Sequence, residues 1–82
     1  DAYYNRGLSY GRQKEFTQAL SDYNKDIDIN PNDAQAYNNR AVIYYQLRQY
    51  DEAWKDVHKA QESGVVNPQL ISALKIELDK AK

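Results

Sequence analysis

Eighty-two residues, 41% hydrophobic and 28% charged with only three Gly and two Pro, make one small folded domain; a disordered chain would carry fewer apolar groups and more net charge. A formal charge of −1, with Lys and Arg scattered singly, offers no basic face, so neither nucleic acid nor an anionic membrane surface is an expected partner. The absence of Cys excludes disulfides, thiol nucleophiles and zinc–thiolate sites, and no apolar run approaches the length of a membrane span.

Apolar and aromatic residues recur at helical spacing along the whole chain, without any alternation of period two. The first segment, about residues 1–13, carries Tyr3, Gly7 and Tyr10 on one stripe. The second, about 16–29, carries Phe16, Ala19, Leu20, Tyr23 and Ile27. Asn30-Pro31-Asn32-Asp33 stops it, since Pro cannot continue a helix, and Asp33 is the expected N-cap of the third helix. That third segment, about 34–47, repeats the stripe with Tyr37, Ala41 and Tyr44, and the fourth, about 50–63, has Tyr50, Ala53, Trp54, Val57 and Ala60. Gly64 is placed to cap its C-terminus, and Asn67-Pro68 supplies a cap and a first helical residue for a fifth segment, about 68–81. That last helix should turn Ile71, Leu74 and Leu78 inward and leave Lys75, Glu77, Lys80 and Lys82 in water. The short connections make neighbouring helices antiparallel, so the expected fold is all-α, five antiparallel helices in a helical-hairpin superhelix.

Displaced by 34 residues, the chain matches itself. Tyr3 falls on Tyr37, Asn5-Arg6 on Asn39-Arg40, Tyr10 on Tyr44, Phe16 on Tyr50, Ala19 on Ala53 and Asp22 on Asp56. A fixed period of this size marks a stacked repeat, in which one hairpin cannot bury its apolar face alone. The division expected is residues 1–33 and 34–67 as two repeats and 68–82 as a C-terminal capping helix, all in one domain. Two irregularities stand out. Asp26 occupies the position filled by Ala60 in the second unit, where a buried carboxylate needs a partner such as Arg40 or a Tyr hydroxyl. Pro68 follows Pro31 by 37 residues instead of 34, which suggests a lengthened final loop, Gly64-Val65-Val66-Asn67, at the end of the repetition.

The sequence Tyr3, Gly7, Tyr10, Phe16, Ala19, Tyr23, Pro31, answered by Tyr37, Ala41, Tyr44, Tyr50, Ala53, Val57 and Ala60, resembles the tetratricopeptide repeat, over residues 1–64. The resemblance implies a non-enzymatic protein–protein interaction module, with a concave surface formed by the first helix of each hairpin. Tyr4, Leu8, Asn38, Val42 and Tyr45 should line that surface with Asn5 and Asn39. Peptide-binding members of the family use Asn at the Asn5 and Asn39 position, and an amide can both donate to and accept from a peptide backbone; the competing reading of the two is an ordinary solvated polar face. The family's carboxylate clamp, used by chaperone adaptors, wants Lys at Tyr4, Asn at Leu8 and two basic residues at Gln69 and Ala73; only Asn39 matches. A C-terminal acidic tail is therefore not the expected ligand.

The remaining candidates weigh against chemistry. Arg6…Asp22 and Arg40…Asp56 share a 16-residue gap, which sets them on facing flanks of each hairpin as structural salt bridges; the competing reading has both Arg lining a ligand groove. Asp26 to Asn30 alternates oxygen-bearing residues as a calcium loop does, but Pro31 and Tyr37 stand where such a loop needs Gly and Glu. His58 has no second ligand or nucleophile, there is no phosphate-binding Gly-rich loop, and no cofactor, metal or catalytic residue is expected. The function read from the sequence is capture of a partner's peptide segment in the groove between the first and third helices. The alternative is a structural or oligomerising segment of a longer array, with homo-oligomers forming through the uncovered N-terminal helix.

Overall fold

A computed structural model describes residues 2–80 as five α-helices: α1 (Ala2–Arg12), α2 (Phe16–Ile29), α3 (Ala34–Gln46), α4 (Tyr50–Glu62) and α5 (Pro68–Lys80). Asp1, Ala81 and Lys82, including the expected solvation of Lys82, lie outside the described residues. Consecutive helices pack on each other, α1 on α2, α3 on α4, with α2 against α3 joining the hairpins and α5 closing α4. The result is an elongated body of 38 × 26 × 17 Å.

The helix ends account for this connectivity. After α1, the Glu15 amide donates to the Tyr10 carbonyl and Lys14 to Gly11; after α3, Gln49 donates to Tyr44 and Arg48 to Tyr45. These paired bonds form the Schellman C-cap, which requires a left-handed residue, and Lys14 (φ 61°) and Arg48 (φ 63°) supply it. Gly64 (φ 90°) does the same after α4, with Val65 donating to Ala60. Asp33 caps α3 by accepting from the Ala36 amide, and Asn67 caps α5 by accepting from Leu70. Those two caps are 34 residues apart, as are the starts of α3 and α5. The repeat phase thus continues into α5, which corrects the reading of Pro68 as a displaced closing residue. The last connection is longer because α4 ends one residue sooner than α2 does at the same phase.

Two apolar clusters make the core. Ala19, Tyr23, Ala36 and Ile43 join the hairpins, with Tyr4, Tyr10, Phe16, Leu20 and Ile27 packed around them. Ala41, Ala53, Val57, Leu70 and Leu74 form the second, under Tyr44, Trp54 and Ile71. Leu70 is buried although the expected inward face of α5 began at Ile71, and Glu77, expected in water, is half-buried and accepts from Lys80. At Gly7 the backbone of α1 meets the Tyr23 ring so closely that a Cβ would stand 2.9 Å from its Cε1. In the second hairpin Ala41 and Val57 occupy the same two positions, so the smaller partner leaves room for the methyl.

Asp26 lies in this interior, 1% exposed, and among the described residues nothing donates a hydrogen bond to its Oδ2. Neither expected partner reaches it: Arg40 is committed to Asp56 and Asn24, and the Tyr37 hydroxyl donates to the Pro31 carbonyl. Burial first, and then the neighbouring Asp33 carboxylate, which accepts a hydrogen bond from the protonated form and repels the charged one, together push the Asp26 carboxyl up from 3.8 to about 6. A group with a raised folded-state pKa contributes stability that is complete below its unfolded value and lost as pH rises through the folded value.

Melting temperature should therefore rise as pH falls from 7 toward 4, and Asp26→Ala should flatten that rise while stabilising the chain at pH 7 by about 1–2 kcal/mol, read from urea unfolding at each pH. Gly7→Ala should destabilise by about 1–2 kcal/mol in the same measurement, because overpacking against the Tyr23 ring outweighs the better helix propensity of Ala.

Candidate functional site

An open cavity of about 460 Å³ lies between α1 and α3. Leu8, Val42 and Ile43 give it apolar walls, with Phe16 and Tyr23 reaching in from α2. Asn39 contributes an amide, and Arg12, Lys14 and Gln46 supply polar groups to the lining. Gly11 keeps the space open. It stands where the second hairpin has Tyr45, and a Cβ there would already lie 3.5 Å from Ile43 Cδ1.

Of the seven residues expected on this surface, Leu8, Asn39 and Val42 line the cavity together. Tyr4 is half-buried against Tyr23, ring centroids 6.1 Å apart, and its hydroxyl accepts from Asn39 Nδ2 at 3.0 Å. Asn39 therefore spends one of its two amide donors inside the protein. Asn5 is exposed on α1. Asn38 and Tyr45 are engaged toward the carboxyl end: Asn67 Nδ2 donates to Asn38 Oδ1 at 3.3 Å, and the Tyr45 ring lies 5.6 Å from that of Tyr50. Sequence spacing missed Gly11, Arg12, Lys14, Ile43 and Gln46, and read Phe16 and Tyr23 only as packing residues. The one sequence signal for them was the failure of the repeat at position 11, where Gly replaces the large side chain of Tyr45.

Each hairpin also holds a bidentate ion pair. Arg6 Nε and Nη2 donate to Asp22 at 2.8 and 2.7 Å, and Arg40 Nε and Nη2 donate to Asp56, each at 2.8 Å. The guanidinium groups sit against Tyr3 and Tyr10 in one hairpin and Tyr37 and Tyr44 in the other, 5.4–6.0 Å from the ring centroids. The Arg6 fork holds the Asp22 carboxyl below the usual carboxylate range. Neither Arg lines the cavity. His58 is exposed and meets the Trp54 ring edge-on at 4.8 Å. Among the described residues no group of His, Cys, Asp or Glu could hold a metal ion, and no helix is long and apolar enough to cross a membrane.

Paired helices of fixed 34-residue phase, with small residues facing large ones, define a helical-repeat interaction module. Two family models described as tetratricopeptide repeat match the chain, over residues 1–33 and 23–55. The chain belongs to the tetratricopeptide repeat family. It is similar to the Hsp70-Hsp90 organising protein of Plasmodium falciparum (isolate 3D7), 38% identical over 48 residues, covering 58% of this chain and 8% of that protein. Similarity extends to Hsp70-Hsp90 organizing protein 3 of Arabidopsis thaliana, 35% over 57 residues, covering 70% of this chain and 10% of the relative. Heat shock protein STI1 of Saccharomyces cerevisiae (strain ATCC 204508 / S288c) is 35% identical over 65 residues, covering 79% and 11%. The chain spans only about a tenth of the length of these relatives.

The two ion pairs differ in exposure, and their removal should differ accordingly. Asp56 is 4% exposed, so Arg40→Ala strands a buried carboxylate and should cost about 2–4 kcal/mol in urea unfolding. Asp22 is buried as deeply, 1% exposed, but the Arg6 above it is 56% exposed, so in Arg6→Ala water reaches the carboxylate more readily and the loss should be smaller.

Proposed function

We propose that this chain captures a partner protein by binding a peptide segment in the cavity between α1 and α3. The observation that carries the reading is the combination of an open apolar space of about 460 Å³ with a half-used amide, Asn39, in its wall. An apolar side chain of the peptide fills the space beside Leu8 and Val42, and the Asn39 amide pairs with the peptide backbone. Asn5, exposed one repeat earlier, offers a second amide to the same strand. Binding is the whole of the mechanism, with each amide contact contributing about 0.5–1.5 kcal/mol.

Similarity to Hsp70-Hsp90 organising proteins makes chaperones the first partners to try. This mode of binding differs from recognition of a terminal carboxylate. Tyr4 and Leu8 stand where the family's clamp has Lys and Asn, and Gln69 and Ala73 bring no cation from α5. The peptide is accordingly an internal segment with an apolar anchor.

Gly11→Leu is the sharpest test, because it fills the cavity while improving the local helix propensity. Peptides mapped on an array from a partner obtained by pull-down should lose at least about tenfold in affinity for Gly11→Leu and for Asn39→Ala, with helical circular dichroism unchanged. Undiminished affinity in both variants would refute the cavity as the site. Amidating the peptide's C-terminus should leave affinity unaltered, and a large loss on amidation would return the terminal carboxylate as ligand.

A further inference from the structure

Gly7 and Gly11 both lie inside α1, and their surroundings differ. At Gly7 the Tyr23 ring comes within 2.9 Å of where a Cβ would stand, so packing requires the missing side chain. At Gly11 a Cβ would meet Ile43 Cδ1 at 3.5 Å, an ordinary contact. No neighbour there demands glycine, and glycine weakens a helix relative to Ala. What Gly11 leaves in place of a side chain is part of the cavity between α1 and α3.

The second hairpin shows which side chain is missing. Tyr45 stands one repeat after Gly11 and Tyr50 one repeat after Phe16. Their rings meet with centroids 5.6 Å apart and planes inclined by 55°, both packed on the second apolar cluster. In the first hairpin Phe16 takes the place of Tyr50 and lines the cavity with Tyr23, but Gly11 sends no ring to meet it. The space beside Phe16 is open to a ring from outside the chain. Two aromatic rings in the lining favour such an occupant over an aliphatic one, because edge and offset contacts between rings add to the area buried. Arg12 and Lys14, both exposed, line the same cavity, and among the described residues neither forms a salt bridge. None of the lining residues is acidic, so the local charge is positive although the chain carries a net charge of −1.

We infer that the cavity selects an aromatic anchor with an acidic neighbour: a Phe or Tyr of the partner packs on Phe16 as Tyr45 packs on Tyr50, and an adjacent Asp or Glu carboxylate meets Arg12 and Lys14. The inference rests on peptide capture at this cavity and names the side chains captured. Gly11 sets the specificity, since its missing side chain makes the notch. The partner's ring completes in the first hairpin the aromatic pair that the second hairpin already contains.

The test titrates the full chain with the capped peptide acetyl-Gly-Glu-Phe-Glu-Gly-amide, and with versions carrying Leu for Phe, or Gln or Lys for both Glu. Backbone amide shifts of Leu8, Gly11 and Val42 are followed by NMR. The Phe peptide should bind at least about threefold tighter than the Leu peptide. At low salt it should also bind at least about threefold tighter than the Gln peptide, with the Lys peptide weakest. Arg12→Gln combined with Lys14→Gln should remove the preference for Glu over Gln and keep that for Phe over Leu. Gly11→Tyr should abolish binding of the Phe and Leu peptides alike, its own ring taking the notch, with helical circular dichroism unchanged. A Leu peptide that binds as tightly as the Phe peptide, and is still blocked by Gly11→Tyr, would overturn the inference and leave peptide capture standing. Equal affinity for the Glu, Gln and Lys peptides would overturn its acidic part. No shift at the three amides with any peptide at millimolar concentration would overturn both readings together.

Discussion

The approach of α1 to α2 depends on a side chain that is missing. Gly7 lets the Tyr23 ring come to where a Cβ would stand at 2.9 Å, and that ring then forms the floor between the two hairpins. Tyr23 is the largest fully buried side chain, and it serves three ends at once. It fills the first cluster, it positions Tyr4 by an edge contact, and it lines the cavity. The second hairpin solves the same packing problem with Ala41 and Val57, a wider gap and a smaller filler. Because the two solutions differ, the inner surfaces of the two repeats are not equivalent, and the cavity belongs to the junction.

Polar groups in so small a core are tied down in different ways. Asp22 and Asp56 are each gripped by a two-pronged Arg, so burial of the carboxylates is compensated by charge and by directed hydrogen bonds. Among the described residues Asp26 has the Asp33 carboxyl beside it, a like charge, and burial with that neighbour drives it toward its protonated form. The two kinds of carboxylate respond to acid with opposite sign. Asp22 gives up its contribution as it protonates, whereas Asp26 relieves a penalty.

Much of the fold was legible because repetition multiplies each signal. Five helices, their antiparallel order, Asp33 and Asn67 as caps and Gly64 as a left-handed terminator all derive from local chemistry that does not need a distant partner. Lys14 and Arg48 escaped notice as left-handed residues because neither is Gly or Asn, although their 34-residue spacing was available as a clue. The concave face was only partly legible. Leu8, Asn39 and Val42 converge, but Asn38 and Tyr45 are drawn toward Asn67 and Tyr50 by contacts that a helical wheel cannot contain.

By itself the sequence determined the architecture of this tetratricopeptide-repeat chain: the period, the small-against-large alternation, and the Arg and Asp that recur at a fixed gap. These are properties of one helix or one hairpin, set by spacing along the chain. The tertiary structure alone decided how the polar valences were spent. Whether an amide is free or bonded, whether a carboxylate finds a cation, and whether a guanidinium keeps one donor in hand depend on which helices lie alongside. Among the described residues, Asn39 bound to Tyr4, Asp26 without a cation, and Arg6 one bond short of Arg40 are the outcomes. Distances between helices fixed each of them, and no linear spacing carries that information.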